Sequence, residues 1–260
     1  VPEFRDPVDA VKTLEKMSKY RKFLETEKTY RDIEANVKDA KQVISNYEDY
    51  MDGHRLLEAY GFDMPLSRLA NAPLPAKEAA EDVGFPAVAK IDSPDISHKT
   101  EVNGVKTGLQ DRSDVEDAFR EIVDNVHHEK PGSDIRGVVL QEELDGMEVA
   151  LGLKRDPQFG PMVMVGLGGI YIEALHDISF GIAPISEQEA EQMIDELRSS
   201  ELFKEYRGSE SSMDAVKDAI IRLGELGLNH EEIQSLDINP LIVRRNKAYA
   251  ADIEVELETK

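Results

Sequence analysis

The sequence predicts an α+β protein of two lobes with a cleft between them, preceded by a helical segment. Three observations predict it: an N-terminal stretch whose apolar residues recur at helical spacing, short apolar β-type runs interleaved with helical segments after residue 60, and the turn-rich EKPGSD at 129–134, midway along the chain. With 260 residues and 40% hydrophobic content, the chain can bury one sizeable core or two small ones.

Residues 7–50 place Val8, Val11, Leu14 and Met17, then Ile33, Val37, Val43 and Ile44, among dense charge, which reads as helix. We take 1–46 as a helical lead-in, 47–132 as the first lobe and 133–260 as the second. HRLLEAYG is a helix stopped by Gly61; Pro65, Pro73 and Pro75 mark a loop-rich passage into the helix AKEAAEDVG. AVAKI and GVKTGL read as strands flanking a polar loop, and Ser113 to about His128 as a helix; EKPGSD itself looks disordered. In the second lobe GVVLQEEL, MEVALGLKRD and GPMVMVGL read as strands of a sheet covered on at least one face. Helices near 186–205 and 212–227 lead to two last strands, LDINPLIVRR and AYAADIEVEL, joined by a turn around Asn246.

Fifty-three acidic against 31 basic side chains give a formal charge of -22, which argues against nucleic-acid or anionic-membrane partners. Acid excess spread along the whole chain suggests a surface adapted to high salt and hence a halophilic source. No apolar run approaches a membrane span, no signal peptide opens the sequence, and the absence of cysteine removes disulfides and thiolate chemistry, so the cytoplasm is the expected location. The chain begins at Val1 within what reads as a structured segment, which suggests a piece of a longer polypeptide.

The most informative stretch is residues 86–109, where a buried strand carrying Lys90 leads into a loop carrying His98 and Lys99. A strand-end lysine can aim its ammonium into a cleft, and a neutral imidazole nearby can accept a phosphoryl group; an ordinary strand with a solvated exit loop is the plainer reading. A hairpin around Asn246 could set Asn239 and Asp252 on one face, enough protein oxygen for a Mg²⁺ that nucleotide phosphates also hold; a turn asparagine and a solvated aspartate are the alternative. GLGG at 166–169 could admit an anion but is more often a tight turn, and no GxxxxGK[ST] is present. Glu148 and Arg155 could serve ribose and phosphate, or simply meet water. His127, His128 and His176 lack ligand-like partners, and nothing suggests zinc.

Four segments, YGFDMP, FPAVAKIDSPDISHKTEVNGVKTGL, VVLQEELDGMEVALGLKRDPQFGPMVMVGLGGIYIEALHDISF and LDINPLIV, occur in this order. Together they resemble the ATP-grasp domain of ADP-forming acyl-CoA synthetases, the family of archaeal acetate-CoA ligase, related to the succinyl-CoA synthetase beta subunit. The resemblance spans about 50–260, and residues 1–46 resemble the end of the CoA-ligase half of fused versions. It implies ATP/ADP and Mg²⁺ as cofactors, with CoA as a substrate reached through a CoA-binding half in cis or in trans. By position it implies that Lys90 contacts nucleotide phosphates, that Gln141, Glu142 and on to Leu144 form the hinge meeting adenine, and that Glu148 faces the ribose. It implies that Asn239 and Asp252 hold magnesium with Asp237 near them, that Arg155 neutralises phosphate, and that His98 is the phosphoryl relay. Two positions depart from the pattern. Gly181 stands where arginine is expected, which removes a possible phosphate contact, and Asn103 stands in place of the first of two glycines, which should stiffen the His98 loop. The implied activity interconverts acyl-CoA, ADP and phosphate with carboxylate, CoA and ATP. A nucleotide-sensing module without turnover and another kind of ATP-grasp carboxylate ligase are the alternatives; a covalent phosphoprotein separates the synthetase from both.

Overall fold

The computed structural model describes residues 6–96, 98–168, 177–205 and 210–258. Helices α1 (Pro7–Glu25), α2 (Val37–Ser45) and α3 (Tyr50–Glu58) come first. On α1 the apolar residues Val8, Val11, Leu14 and Met17 are exposed. Helix α3 opens with a capping box, in which Asp49 accepts from the Asp52 backbone and the Asp52 carboxylate accepts in return. Gly61, at φ +75°, lets the chain leave this helix through the left-handed region.

The first sheet is antiparallel, in the order β1 (Ser67–Ala70), β4 (Gly137–Glu142), β2 (Ala87–Asp92), β3 (Val105–Leu109). Helices α4 (Pro73–Val83) and α5 (Arg112–Glu129) cover one of its faces. Proline starts α4 and Gly84 ends it, while Asp111 caps α5 by accepting from Ser113 and Asp114. The second sheet runs β10 (Ile253–Leu257), β8 (Ile233–Arg244), β5 (Met147–Asp156), β6 (Gly160–Leu167), β7 (Ile178–Ile182), with β9 (Lys247–Ala250) also on β8. Helices α6 (Glu187–Asp195), α7 (Ser200–Glu205) and α8 (Glu210–Asn229) accompany it, with α6 and α8 against its strands.

The described residues form two cores. One lies within residues 70–140 and packs Ala76, Ala80, Ile91, Ile122, Val126 and Leu140. The other joins α2 and α3, through Ala40, Leu56, Leu57 and Tyr60, to the covered face of the second sheet and α8. Each large side chain fully buried here contributes about 1.5–3 kcal/mol of transfer free energy.

The division of the chain differs from the sequence expectation in two places. β4, expected in the second lobe, pairs with β1 and β2 in the first sheet, so the sheets divide between Glu142 and Met147 rather than at 132/133. α3, expected in the first lobe, packs on the second core. Both depend on pairing between residues far apart in sequence, which local composition does not encode. EKPGSD is an exposed turn held by hydrogen bonds: the Lys130 ammonium donates to the Asp95 carbonyl (3.3 Å) and the Asp134 amide to the Asp95 carboxylate (2.8 Å).

Candidate functional site

Alternation along β2 sends Ala87, Ala89 and Ile91 into the helix-covered core and leaves Val88, Lys90 and Asp92 on the opposite face. No helix of the first lobe covers that face, yet Lys90 is 6% exposed, because the second lobe closes over it. Its ammonium donates to Gln141 Oε1 (2.8 Å) on β4 and to the Ala251 carbonyl (2.9 Å) of the second lobe. Gln141 Nε2 donates to the same carbonyl (3.0 Å) and to Ser67 Oγ (3.0 Å), and the Tyr50 hydroxyl donates to it as well (2.7 Å). One carbonyl oxygen of the second lobe thus gathers three donors, two from the first sheet and one from α3.

The strand ladder explains why Ala251 is free to do this. β9 pairs with the second half of β8 and β10 with its first half, so the chain is unladdered at Ala251 and Asp252, opposite Asn239 and Pro240. Only the bridging bonds Asn239 N to Asp252 O (3.1 Å) and Ala251 N to Pro240 O (3.0 Å) span the gap. Burial pushes Lys90 down to about 8; the Asp252 carboxylate opposes that shift and the Lys99 ammonium adds to it.

On the open face of the second sheet, Asp237 stands opposite Gly152 and Glu254, and Asn239 and Asp252 follow on their strands. Asp237 is exposed, yet desolvation by the surrounding protein, then Glu254, raises its carboxyl, while His98 and Lys154 pull it back. His98 is therefore close enough to act on this face electrostatically, and its side chain is exposed. Lys99 places its ammonium on both Asp252 oxygens (3.1 and 3.2 Å), over the face of Tyr50 at 5.2 Å. Asn239 and Asp252 supply an amide oxygen and a carboxylate, hard donors suited to Mg²⁺, and an ammonium already rests on the carboxylate, so these residues fit a bound cation.

Gln141, Glu142 and Leu144 lie where the chain passes from the first sheet to the second, and the Glu142 amide is held by the Leu66 carbonyl (2.9 Å). Glu148 is exposed on the open face of β5. In the GLGG run, the Gly168 amide donates to the Glu148 carbonyl (2.9 Å), and a Cβ at Gly168 would meet Glu148 at 3.0 Å, so this glycine serves close strand packing; Gly169 and His176 lie outside the described residues. Among the described residues, no cluster of His, Cys, Asp and Glu is arranged to hold a metal by itself.

Arg155 requires a correction. On β5 the odd positions Val149, Leu151 and Leu153 face the covered core, and Arg155 continues that row. Its guanidinium donates to the carbonyls of Gly227 (2.6 Å), His230 (2.9 Å) and Ile233 (3.2 Å), closing the end of α8. It does not face the cleft. Lys154, one residue earlier, does, and alternation along β5 was the signal that could have found it.

Gly181 also faces the covered side: a Cβ there would meet Met193 Sδ at 2.5 Å, so its missing side chain takes nothing from the cleft. Asn103 adopts φ +51°, a left-handed conformation asparagine tolerates, and Gly104 is required because a Cβ would meet Ile91 at 2.6 Å and the Lys99 carbonyl at 2.9 Å. The turn keeps its shape without a second glycine. Sequence reasoning missed Tyr50, the Ala251 carbonyl, the Gln141 side chain and buried His54. The His54 Nε2 has no hydrogen-bond partner among the described residues, and burial, aided by Lys90, pushes its imidazole down to about 4. A groove between α2 and α3 is lined by Glu34, Asp39, Glu48, Asp49, Asp52 and Glu58, the wrong sign for a phosphate.

Residues 40–257 match the family model of an ATP-grasp domain. The acetate–CoA ligase [ADP-forming] I of Archaeoglobus fulgidus is 36% identical over 99% of this chain and 39% of its own length, so the chain spans about two fifths of that relative. The beta subunit of acetate–CoA ligase [ADP-forming] I from Pyrococcus furiosus is 38% identical over 79% of this chain and 90% of its own. Acetyl-coenzyme A synthetase 1 of Ca. Korarchaeum cryptofilum, solved with coenzyme A and Ca-AMPCP, superposes with a TM-score of 0.78 at 38% identity, covering 84% of this chain and 97% of that one. A second structure of that protein, with coenzyme A and Mg-AMPPCP, has its phosphohistidine segment pointing towards the nucleotide binding site; its TM-score is 0.69 at 36% identity, covering 84% and 97%. This chain belongs to the ATP-grasp family, among the relatives of the beta subunits of ADP-forming acetate–CoA ligases.

Proposed function

We propose that this chain is the nucleotide-binding portion of an ADP-forming acyl-CoA synthetase acting on acetate or a similar carboxylate, and that it passes a phosphoryl group between ATP and His98. The observation that carries the reading is Lys90: a buried ammonium at the junction of the two sheets, beside Asp252 and within electrostatic reach of Lys99, the residue after His98. Burial has already removed its water, so phosphate oxygens can replace the Gln141 and Ala251 oxygens that now accept from it without a fresh desolvation cost. Asn239 and Asp252 would hold Mg²⁺, which when bound neutralises phosphate charge. Lys154 adds a cation on the same face, and the hinge from Gln141 to Leu144 and Glu148 are suited to adenine and ribose.

In the transfer, an imidazole nitrogen of His98 attacks the γ-phosphorus. The N–P bond forms as the bond to the β,γ-bridging oxygen breaks, and its electron pair leaves with ADP. His98 is exposed at the mouth of the cleft, which suits a group that must then offer its phosphoryl to a second active centre. That centre, with the CoA and acyl sites, belongs to a CoA-binding half in cis or in trans. The acid excess supports work at high salt and, with no described helix long and apolar enough to cross a membrane, we place the protein in the cytoplasm.

Incubation with γ-labelled ATP and Mg²⁺ tests the reading. Acid-labile label that disappears in His98→Ala while ATP still binds is the expected result; label that survives in His98→Ala, or bound ATP with no label after the CoA-binding half is added, overturns it.

A further inference from the structure

Lys99 is held more firmly than a loop lysine needs to be. Its ammonium lies almost equally far from both Asp252 oxygens, 3.1 and 3.2 Å, so it occupies the whole carboxylate rather than one corner. The Tyr50 ring lies 5.2 Å beneath it, and the side chains of Lys99 and Asp252 are 11% and 24% exposed. An ion pair this enclosed is costly to break by removing one partner, because the other charge is left poorly solvated. It is readily exchanged for another cation on the same oxygens. The pair also joins the two lobes: Lys99 belongs to the β2–β3 connection, Asp252 to the gap between β9 and β10.

We propose that Lys99 and a divalent cation are mutually exclusive on Asp252, so that Lys99 is a positioning residue which pins the His98 loop to the second lobe until metal displaces it. The inference rests on the reading of Asp252 as a metal ligand. Because the ammonium sits on both Asp252 oxygens, a divalent cation arriving there competes with it for the same lone pairs and meets its charge at close range. When the ammonium leaves, the backbone of Lys99 stays anchored, because the Gly104 amide donates to its carbonyl at 2.7 Å. The Glu101 amide likewise holds the His98 carbonyl, at 3.2 Å, so the turn stays intact and what is released is its tether to the second lobe, with the exposed His98 side chain carried along. Metal loading then sets when the relay histidine is free to move, and a chain without metal keeps its loop tied to Asp252.

The test titrates Mn²⁺ in the presence of saturating ADP, reading free Mn²⁺ by electron paramagnetic resonance, and follows amide hydrogen exchange over residues 93–104. Wild type, Lys99→Met, Lys99→Arg and Asp252→Asn are compared. Lys99→Met should bind Mn²⁺ about tenfold more tightly, about 1.4 kcal/mol, and its loop should exchange at the metal-saturated rate without metal. Lys99→Arg should behave as wild type, whose loop exchange rises on adding Mn²⁺. A merely structural role for Lys99 would loosen metal binding, not tighten it. If Asp252→Asn loses Mn²⁺ affinity while Lys99→Met leaves affinity and exchange unchanged, the competition is wrong and the metal reading stands. If Asp252→Asn keeps wild-type affinity, the metal reading itself fails and the inference with it.

Discussion

The two faces of the second sheet carry polar residues for opposite reasons. On the covered face, Arg155 spends its donors on the carbonyls of Gly227, His230 and Ile233, and nothing in that set changes when a small molecule arrives. On the open face, Asp237, Asn239, Asp252 and Glu254 crowd like charges or hard oxygens together, with Lys99 as the cation that balances one of them. A half-buried arginine satisfied by backbone is architecture. A group of carboxylates kept together beside a depressed lysine is a place where another cation and an anion are wanted. Residue type alone does not separate the two; the side of the strand does.

Substitutions that move charge between these faces give the largest expected effects. Gly181→Arg restores the arginine expected by resemblance, but it drives that side chain into Met193 and Ile185 on the covered face. It should lower the unfolding free energy by about 3 kcal/mol or more and bring no gain in nucleotide affinity, as read by urea denaturation and calorimetry; a tighter-binding, stable variant would show that position 181 reaches the cleft. Arg155→Met strips three carbonyls of their donor and should cost about 2–4 kcal/mol, measured in the same way.

The junction should also show in the pH dependence of stability. The His54 imidazole is held at about 4 in the fold against 6.5 when free, so between those values the unfolded chain binds a proton that the folded chain refuses. Stability should fall as pH falls through that window, by up to about 3 kcal/mol, and His54→Gln should flatten the slope. Lys90 works in a higher window: between about 8 and 10.5 the unfolded chain keeps a proton the folded chain has lost, so stability should rise with pH there. Nucleotide phosphate should restore the Lys90 charge, so binding above pH 8 should take up protons, seen as a calorimetric enthalpy that depends on the buffer. The smallest effect is general: with a formal charge of -22, the melting temperature should climb modestly with potassium chloride as self-repulsion is screened.

Much of the fold was legible because the strands of the second sheet announce themselves. MEVALGLKRD and GPMVMVGL, read as strands from their apolar runs, have the bounds the structure gives them. The short strands SRLA and ISFGI were not legible: four or five residues exist as strands only because β4 and β6 supply partners. AYAADIEVEL reads as one strand and is two, since its gap depends on Pro240 across the sheet, and that gap frees the Ala251 carbonyl on which the site is built. Lys90, His98, Asn239 and Asp252 could be picked out by type and resemblance, whereas Tyr50 and His54 come from a helix that packs on the other core. Arg155 misled because its residue type fitted phosphate while its position in the alternation did not.

On the proposed reading the nucleotide lies on the open face of the second sheet, against Lys90. The most direct measurement is the affinity of Mg·ADP for Lys90→Met and Arg155→Met side by side, under conditions where both are folded. Lys90→Met should lose on the order of 30-fold or more while Arg155→Met binds as wild type. Loss of affinity in Arg155→Met with Lys90→Met unaffected would contradict it and move the phosphate site to the face where α8 ends.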